Sequence, residues 1–343
     1  VAFIRSILKQ GVLTVLAGYG WLRLYLSRTP SLLILTYHRI LPLSDPARAA
    51  EQPGMVTSPE ALERHIRLVK KLGAEPVHLS EWLERNNKGQ TLPKLAVAFT
   101  FDDGWRDNYE HAYPLLKANN IPATIFLVTQ MVGTNKIFWP EQVLRLLTSH
   151  NTPEDDQAFN WLYPHLPDSY CGRERSPFSL MEADEVITRL KSTDDSVILK
   201  GLEAVYQAHP EVAPEDGYRA ILNNSELKEM SQHGLVRYGA HTRNHYRLNR
   251  LRDDQALMNE VIGSREDIQA LGAFAVPIFC YPNGNITEKG EILVSDHYEA
   301  ACTTKTGWNL ADCNPYDLHR FNLHDGNSDS NRTLLATIGR GLL

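Results

Sequence analysis

Short, continuous apolar runs punctuate the chain. Leu32-Leu33-Ile34-Leu35-Thr36-Tyr37, Lys94-Leu95-Ala96-Val97-Ala98-Phe99-Thr100 and the stretch from Ala123 to Val128 carry no polar alternation. Runs this short and this unbroken predict strands buried on both faces, the signature of a parallel sheet. Shorter strands are expected at Val236 to Gly239, Ile278 to Tyr281 and Glu299 to Thr303. Helical spacing fills the gaps. Ser58-Pro59-Glu60 opens a helix with Leu62, Ile66, Val69 and Leu72 on one face and Gly73 at its end. A second helix is expected from Tyr109 to Lys117, stopped by Asn119-Asn120, and a third from Ser225 to His233 with Ser225 as its cap. The alternation predicts an α/β fold of parallel β/α units, with functional groups at the carboxyl ends of the strands.

Two stretches depart from this rhythm. Between Pro153 and Asn224, helical patches at Ala183 to Lys191 and Val197 to Ala208 are separated by Pro, Gly and acidic residues, which predicts a helical insertion over about residues 150–224. In residues 1–30, Phe3, Ile4, Ile7, Leu8, Val12, Leu13, Val15 and Leu16 recur at near-helical spacing, with Arg5, Lys9, Arg23 and Arg28 and no acidic residue. The uncharged part from Gln10 to Leu22 contains three glycines and is shorter than the roughly 20 residues a spanning helix needs. No small-x-small cleavage site precedes Leu32, which disfavours a signal peptide. A basic amphipathic helix is expected, lying on an anionic membrane surface with Tyr19, Trp21 and Tyr25 at headgroup level, or docked on the domain. The expected organisation is that helix at 1–30 and one domain over 31–343 that carries the insertion.

Composition narrows the function classes. With 343 residues, 43% hydrophobic and 22% charged, the chain can bury a substantial core. A net charge of −6 gives no concentrated basic face, so nucleic acid is not an expected partner. Cys171, Cys280, Cys302 and Cys313 show no C-x-x-C spacing, which excludes a cysteine metal site, and Cys302 and Cys313 are the nearest pair for a bridge. Scattered thiols favour a reducing compartment, hence a cytoplasmic location, peripheral at the inner face of the membrane.

Two strings carry chemistry. Thr100-Phe101-Asp102-Asp103-Gly104 puts adjacent carboxylates at a strand end, where one can bind a cation while the other abstracts a proton, although Asp-Asp-Gly is also ordinary turn chemistry. His241-Thr242-Arg243-Asn244-His245 places two imidazoles at i and i+4, on one face if the segment turns helically. With 13 histidines in the chain, that spacing alone is weak. Two imidazoles and one carboxylate leave coordination positions open, as in a catalytic metal site.

Together the strings resemble the first two motifs of the polysaccharide deacetylases, the NodB-homology or carbohydrate esterase family 4 proteins. Leu35-Thr36-Tyr37-His38-Arg39 looks like that family's opening strand, Ile121 to Phe126 like its following strand, and Phe279-Cys280-Tyr281-Pro282-Asn283-Gly284 like its third motif. The resemblance covers roughly residues 32–145 and 225–325 and is closest to the exopolysaccharide-deacetylase branch. It implies a distorted, often incomplete, (β/α) barrel and a metal-dependent hydrolase that removes N-acetyl groups from amino sugars of a cell-envelope or exported polysaccharide or its precursor. It implies Asp103, His241 and His245 as ligands of one divalent metal, zinc foremost, with cobalt, nickel or iron as alternatives. It implies Asp102 as general base and a backbone N–H near Tyr281 as oxyanion donor.

Two motif elements differ. The arginine that commonly precedes the third-motif proline is absent, and Arg320 is the expected substitute. The late Leu-x-His is replaced by Leu323-His324-Asp325, which makes His324 the expected general acid, with His319 behind it. His38 would sit on the catalytic face or in the core, and Trp105 and Trp139 could stack on a sugar ring. Two other readings of the same residues are a hydrolase of a small non-sugar amide and a catalytically decayed carbohydrate-binding protein.

Overall fold

The computed structural model describes residues 2–26, 29–150, 156–167, 177–214, 219–251 and 253–341. Six parallel strands lie side by side in chain order: β1 (Ser31–Tyr37), β2 (Leu95–Phe101), β3 (Ala123–Leu127), β4 (Val236–Ala240), β5 (Ala275–Cys280) and β6 (Ala300–Cys302). Their unbroken apolar character follows from burial on both faces. Leu33, Leu35 and Tyr37 of β1 and Val97, Phe99 and Phe101 of β2 pack with helix residues such as Leu62, Ile66 and Leu116. Leu32, Ile34, Ala96, Ala98, Phe126, Ile278 and Cys280 form a second core together with Trp82. Each fully buried Leu or Ile contributes roughly 1.5–3 kcal/mol, so both faces stabilise the sheet.

The sheet curls toward closure and is joined by an irregular seam. Leu318 donates to the Ala301 carbonyl and accepts from the Thr303 N–H, and three residues later β7 (Phe321–Asn322) pairs with β1 in parallel. The segment from 318 to 322 therefore spans from β6 to β1 across the gap. This is the distorted, incomplete (β/α) barrel that the motifs imply.

Twelve α-helices surround or extend the sheet among the described residues: α1 (Ala2–Leu26), α2 (Pro59–Lys71), α3 (Leu79–Asn87), α4 (Tyr113–Asn119), α5 (Trp139–Ser149), α6 (Leu180–Leu190), α7 (Asp195–Ala208), α8 (Asn224–Met230), α9 (Asp254–Gln269), α10 (Glu288–His297), α11 (Asp325–Ser328) and α12 (Asn331–Arg340). The Ser58 side chain caps α2 by accepting from the Ala61 N–H. The cap of α8 lies two residues earlier than expected. Asn223, not Ser225, is its cap, because Asn223 and Glu226 form a reciprocal capping box and Ser225 merely donates to Asn223. The helix expected from Tyr109 opens as a π-turn over Asn108–Ala112.

The helical insertion has its own core, in which Val143 and Leu147 of α5 meet Ile187 and Leu190 of α6 and Ile198 and Val205 of α7. That core starts at Trp139, earlier than the expected residue 150, because α5 belongs to it. The N-terminal segment is one helix docked on α12, with Ala17 and Leu24 buried and Gly20 and Gly339 against the facing backbone. No helix among the described residues is long and apolar enough to cross a membrane. Cys280, Cys302 and Cys313 are free thiols, so no Cys302–Cys313 bridge forms, and Cys171 lies outside the described residues.

Candidate active site

Asp102 and Asp103 follow β2 directly, and the chain reverses there with φ of 72° at Asp103 and 78° at Gly104. A Cβ at Gly104 would come within 2.8 Å of Leu127 Cδ2, and the left-handed backbone there favours glycine. The Asp-Asp-Gly string is thus a tight turn and also a device that aims adjacent carboxylates into one cavity. Past β4, the His241-to-His245 segment is a loop with left-handed residues at Thr242 and His245, each at φ 63°. The expected helical turn is absent. The loop nevertheless brings both rings together, with centroids 4.9 Å apart.

His241 Nε2 lies 3.5 Å and His245 Nε2 3.4 Å from the same oxygen, Asp103 Oδ1. His241 Nδ1 donates to the Cys280 carbonyl at 2.7 Å, which leaves Nε2 as a bare lone pair. Trp105 Nε1 donates to Asp103 Oδ2 at 2.9 Å, while Oδ1 is buried with no hydrogen-bond partner among the described residues. Burial and the neighbouring Asp102 carboxylate push the Asp103 carboxyl up to about 6, and burial lowers His241 to about 3 and His245 to about 4. Neutral imidazoles around an orphaned carboxylate oxygen form a donor set that lacks only a cation, and O,N,N ligation with open positions suits a divalent metal.

Asp102 is in the opposite situation. Arg320, carried on the seam, donates to Asp102 Oδ1 at 2.8 Å and to the Thr303 carbonyl at 2.9 Å. Burial alone would raise the Asp102 carboxyl, but the Arg320 guanidinium holds it well below the usual carboxylate range. Asp102 Oδ2 faces His38 Nε2 at 3.9 Å and the Cys280 thiol at 3.6 Å.

A cavity of about 430 Å³ opens over these groups, lined by His38, Asp102, Asp103, His241, His245 and Arg320 below and by Trp139, Glu141, Asp184 and Lys191 on one side. Not every expected residue reaches it as expected. Tyr281 lines the cavity with a buried, unpartnered hydroxyl, but its N–H is committed to the Cys302 carbonyl and is no oxyanion donor. His324 is not among the lining residues. Its Nδ1 accepts from the Gly326 N–H and so caps α11. His319 is also outside the lining, near Asp317 at 3.8 Å. Trp105 is 2% exposed and holds Asp103, so it is not a stacking platform, whereas Trp139 does line the cavity. The sequence does not reveal the Trp105 contact, although Trp105 directly follows the Asp-Asp-Gly string, and Glu141 has no signal beyond its place two residues after Trp139.

Comparison with known proteins agrees with this geometry. The family described as polysaccharide deacetylase matches residues 89–153 and 207–298, which include Asp102, Asp103, His241 and His245. The poly-beta-1,6-N-acetyl-D-glucosamine N-deacetylase of Staphylococcus epidermidis is 25% identical over 218 residues, covering 61% of this chain and 71% of that protein. Its namesake in Escherichia coli is 34% identical over 86 residues, or 25% of this chain and 13% of that protein. Among solved structures, the Streptococcus pyogenes deacetylase PplD in complex with acetate has a TM-score of 0.58 at 19% identity, covering 90% of this chain and 99% of that one. IcaB from Ammonifex degensii gives 0.55 at 17% identity, with coverage of 90% and 97%. At such identities the structural likeness bears on the fold, and the sequence matches bear on the family. In sequence and in fold this chain is similar to the polysaccharide deacetylases, a family of hydrolases.

Proposed function

We propose that the protein is a metal-dependent N-deacetylase of exported or cell-envelope polymers of N-acetylated hexosamine, and the relatives named as poly-beta-1,6-N-acetyl-D-glucosamine N-deacetylases support the sugar class. One observation carries this reading: Asp103 Oδ1 stands without a partner between two imidazole nitrogens, beside a second carboxylate that Arg320 keeps charged. Asp103, His241 and His245 would hold the cation, zinc first by donor type. When bound, it would polarise the acetamide carbonyl and acidify a water molecule.

The chain's own groups have distinct tasks in this reading. Asp102 is not a ligand. Its Oδ1 is committed to Arg320, so Oδ2, facing the cavity, takes the proton of the attacking water. His38, on the same side of the cavity, delivers a proton to the departing amine and replaces His324 in that role. Arg320 orients Asp102, which supplies the function of the missing motif arginine.

The test is acetate release from N-acetylglucosamine oligomers by chelator-stripped protein, before and after zinc, cobalt, nickel or iron is restored, alongside Asp102→Asn. Restored turnover is expected for wild type, and a loss of at least about a hundredfold for Asp102→Asn with its metal retained. Turnover confined to small amides would instead favour the non-sugar hydrolase. Sugar and metal binding without acetate would favour a binding protein.

The same reading includes peripheral membrane contact through α1. Leu8, Val12, Val15, Tyr25 and Leu26 are exposed, and residues 1–30 carry no acidic side chain. This surface fits anionic lipid.

A further inference from the structure

The cavity has a side wall that the deacetylation chemistry does not use. Glu141, in the first turn of α5, is 5% exposed and lines the cavity, and its Oε2 is buried with no hydrogen-bond partner among the described residues. The nearby buried cation is already engaged, since Arg39 donates to Asp107 at 2.7 Å and to Glu51. Burial, then the Glu51 carboxylate, push Glu141 up to about 8. An unpartnered buried carboxyl is costly to the fold and uncommon in native structures. Beside it stand Asp184, Thr188 and Lys191 of the α6 region, and Gln52, which donates to Asp184 at 2.8 Å. These groups come from the insertion and from the loop after β1, not from the strand ends that bear the reacting residues. Asp102, Asp103 and Glu141 line one cavity, and a hexosamine ring carries the hydrogen-bond donors that Glu141 lacks.

We infer that Glu141 is a substrate-binding residue that accepts a hydrogen bond from a ring hydroxyl or amino nitrogen of the hexosamine unit next to the one being deacetylated. The inference rests on the deacetylase reading and makes the helical insertion a subsite for the polymer. Asp184 and Lys191 complete the polar wall.

The test compares wild type with Glu141→Gln on two oligomers, one fully N-acetylated and one partly de-N-acetylated, measuring KM and kcat for acetate release, bound zinc, and Tm. A rise in KM of roughly ten- to hundredfold is expected, larger than the fall in kcat, with zinc content unchanged. Tm should stay close to that of wild type, because the glutamine amide replaces one unpartnered neutral polar group by another of the same size. Loss confined to the partly de-N-acetylated oligomer assigns an amino donor, and equal loss on both assigns a hydroxyl. Unchanged KM on both oligomers, or a lowered Tm with parallel loss of zinc, overturns the inference. Lys191→Met provides a second variant on the same wall, expected to raise KM as well. If wild type releases no acetate yet Glu141→Gln weakens oligomer binding in calorimetry, the subsite stands and the deacetylase reading fails.

Discussion

Asp102 and Asp103 are adjacent in sequence and differ in what faces them. Arg320 compensates the first, and an orphaned oxygen marks the second. Arg320 is a fork with one arm on the Thr303 carbonyl and one on Asp102, a geometry that lysine cannot reproduce with a single nitrogen. Arg320→Lys should therefore lower acetate release by roughly ten- to a hundredfold while zinc content stays constant. Arg320→Met should lower unfolding free energy by about 3–5 kcal/mol in urea titrations, because Asp102 is then buried without its cation. Wild-type turnover in Arg320→Lys would show that orientation of Asp102 is not needed. The residues legible in sequence were those at the ends of β2 and β4, together with Arg320 on the seam. Ring directions were not legible. Whether Trp105 turns to a sugar or to Asp103, and whether His324 reaches the cavity or caps α11, depends on rotations that a string of residues does not encode.

At the level of elements, three pieces meet at His65. Tyr37 of β1 contacts His65 Nδ1 at 3.0 Å, and His65 Nε2 contacts the Ser328 carbonyl of α11 at 2.6 Å. A carbonyl can only accept, so Nε2 carries the proton, Nδ1 accepts from the tyrosine hydroxyl, and the ring is neutral. Burial lowers its pKa from 6.5 to about 4. The folded value lies below the unfolded one, so the contribution is complete above pH 6.5 and is lost as pH falls toward 4. Two and a half pH units correspond to roughly 3 kcal/mol. Urea unfolding of wild type and His65→Gln at pH 7.5 and pH 5 should show a pH-dependent loss smaller by about 2 kcal/mol in the variant, and equal losses would refute the assignment. α1 makes a second element-scale case. Its helical character follows from its spacing, but the division into a docked face at Ala17, Gly20 and Leu24 and an open face at Val12 and Val15 depends on α12, a partner more than 300 residues away in the chain. Val12→Glu with Val15→Glu alters only the open face. It should abolish co-sedimentation with vesicles rich in anionic lipid while leaving Tm unchanged, and undiminished binding would remove the membrane role.

Across the whole molecule, the insertion and the metal-binding loop are tied through one buried carboxylate. Arg247, two residues past His245 and 1% exposed, donates from NH2 to Asp195 Oδ1 at 2.9 Å and to the Thr193 carbonyl at 2.7 Å. Trp139 of α5 donates to the same Asp195 oxygen at 2.9 Å, and Phe138 packs its edge against the His245 ring with centroids 5.3 Å apart. The left-handed backbone at His245 is thus held from outside the barrel, by residues that the repeating strand-helix pattern does not include. Asp195→Asn preserves shape and removes the charge that Arg247 faces. It should cost about 3–5 kcal/mol of unfolding free energy. If the insertion also positions His245, zinc affinity measured by competition with a chromophoric chelator should fall roughly ten- to a hundredfold. A fall in stability with zinc affinity intact would mean that the loop holds His245 unaided and that the insertion serves the polymer rather than the metal.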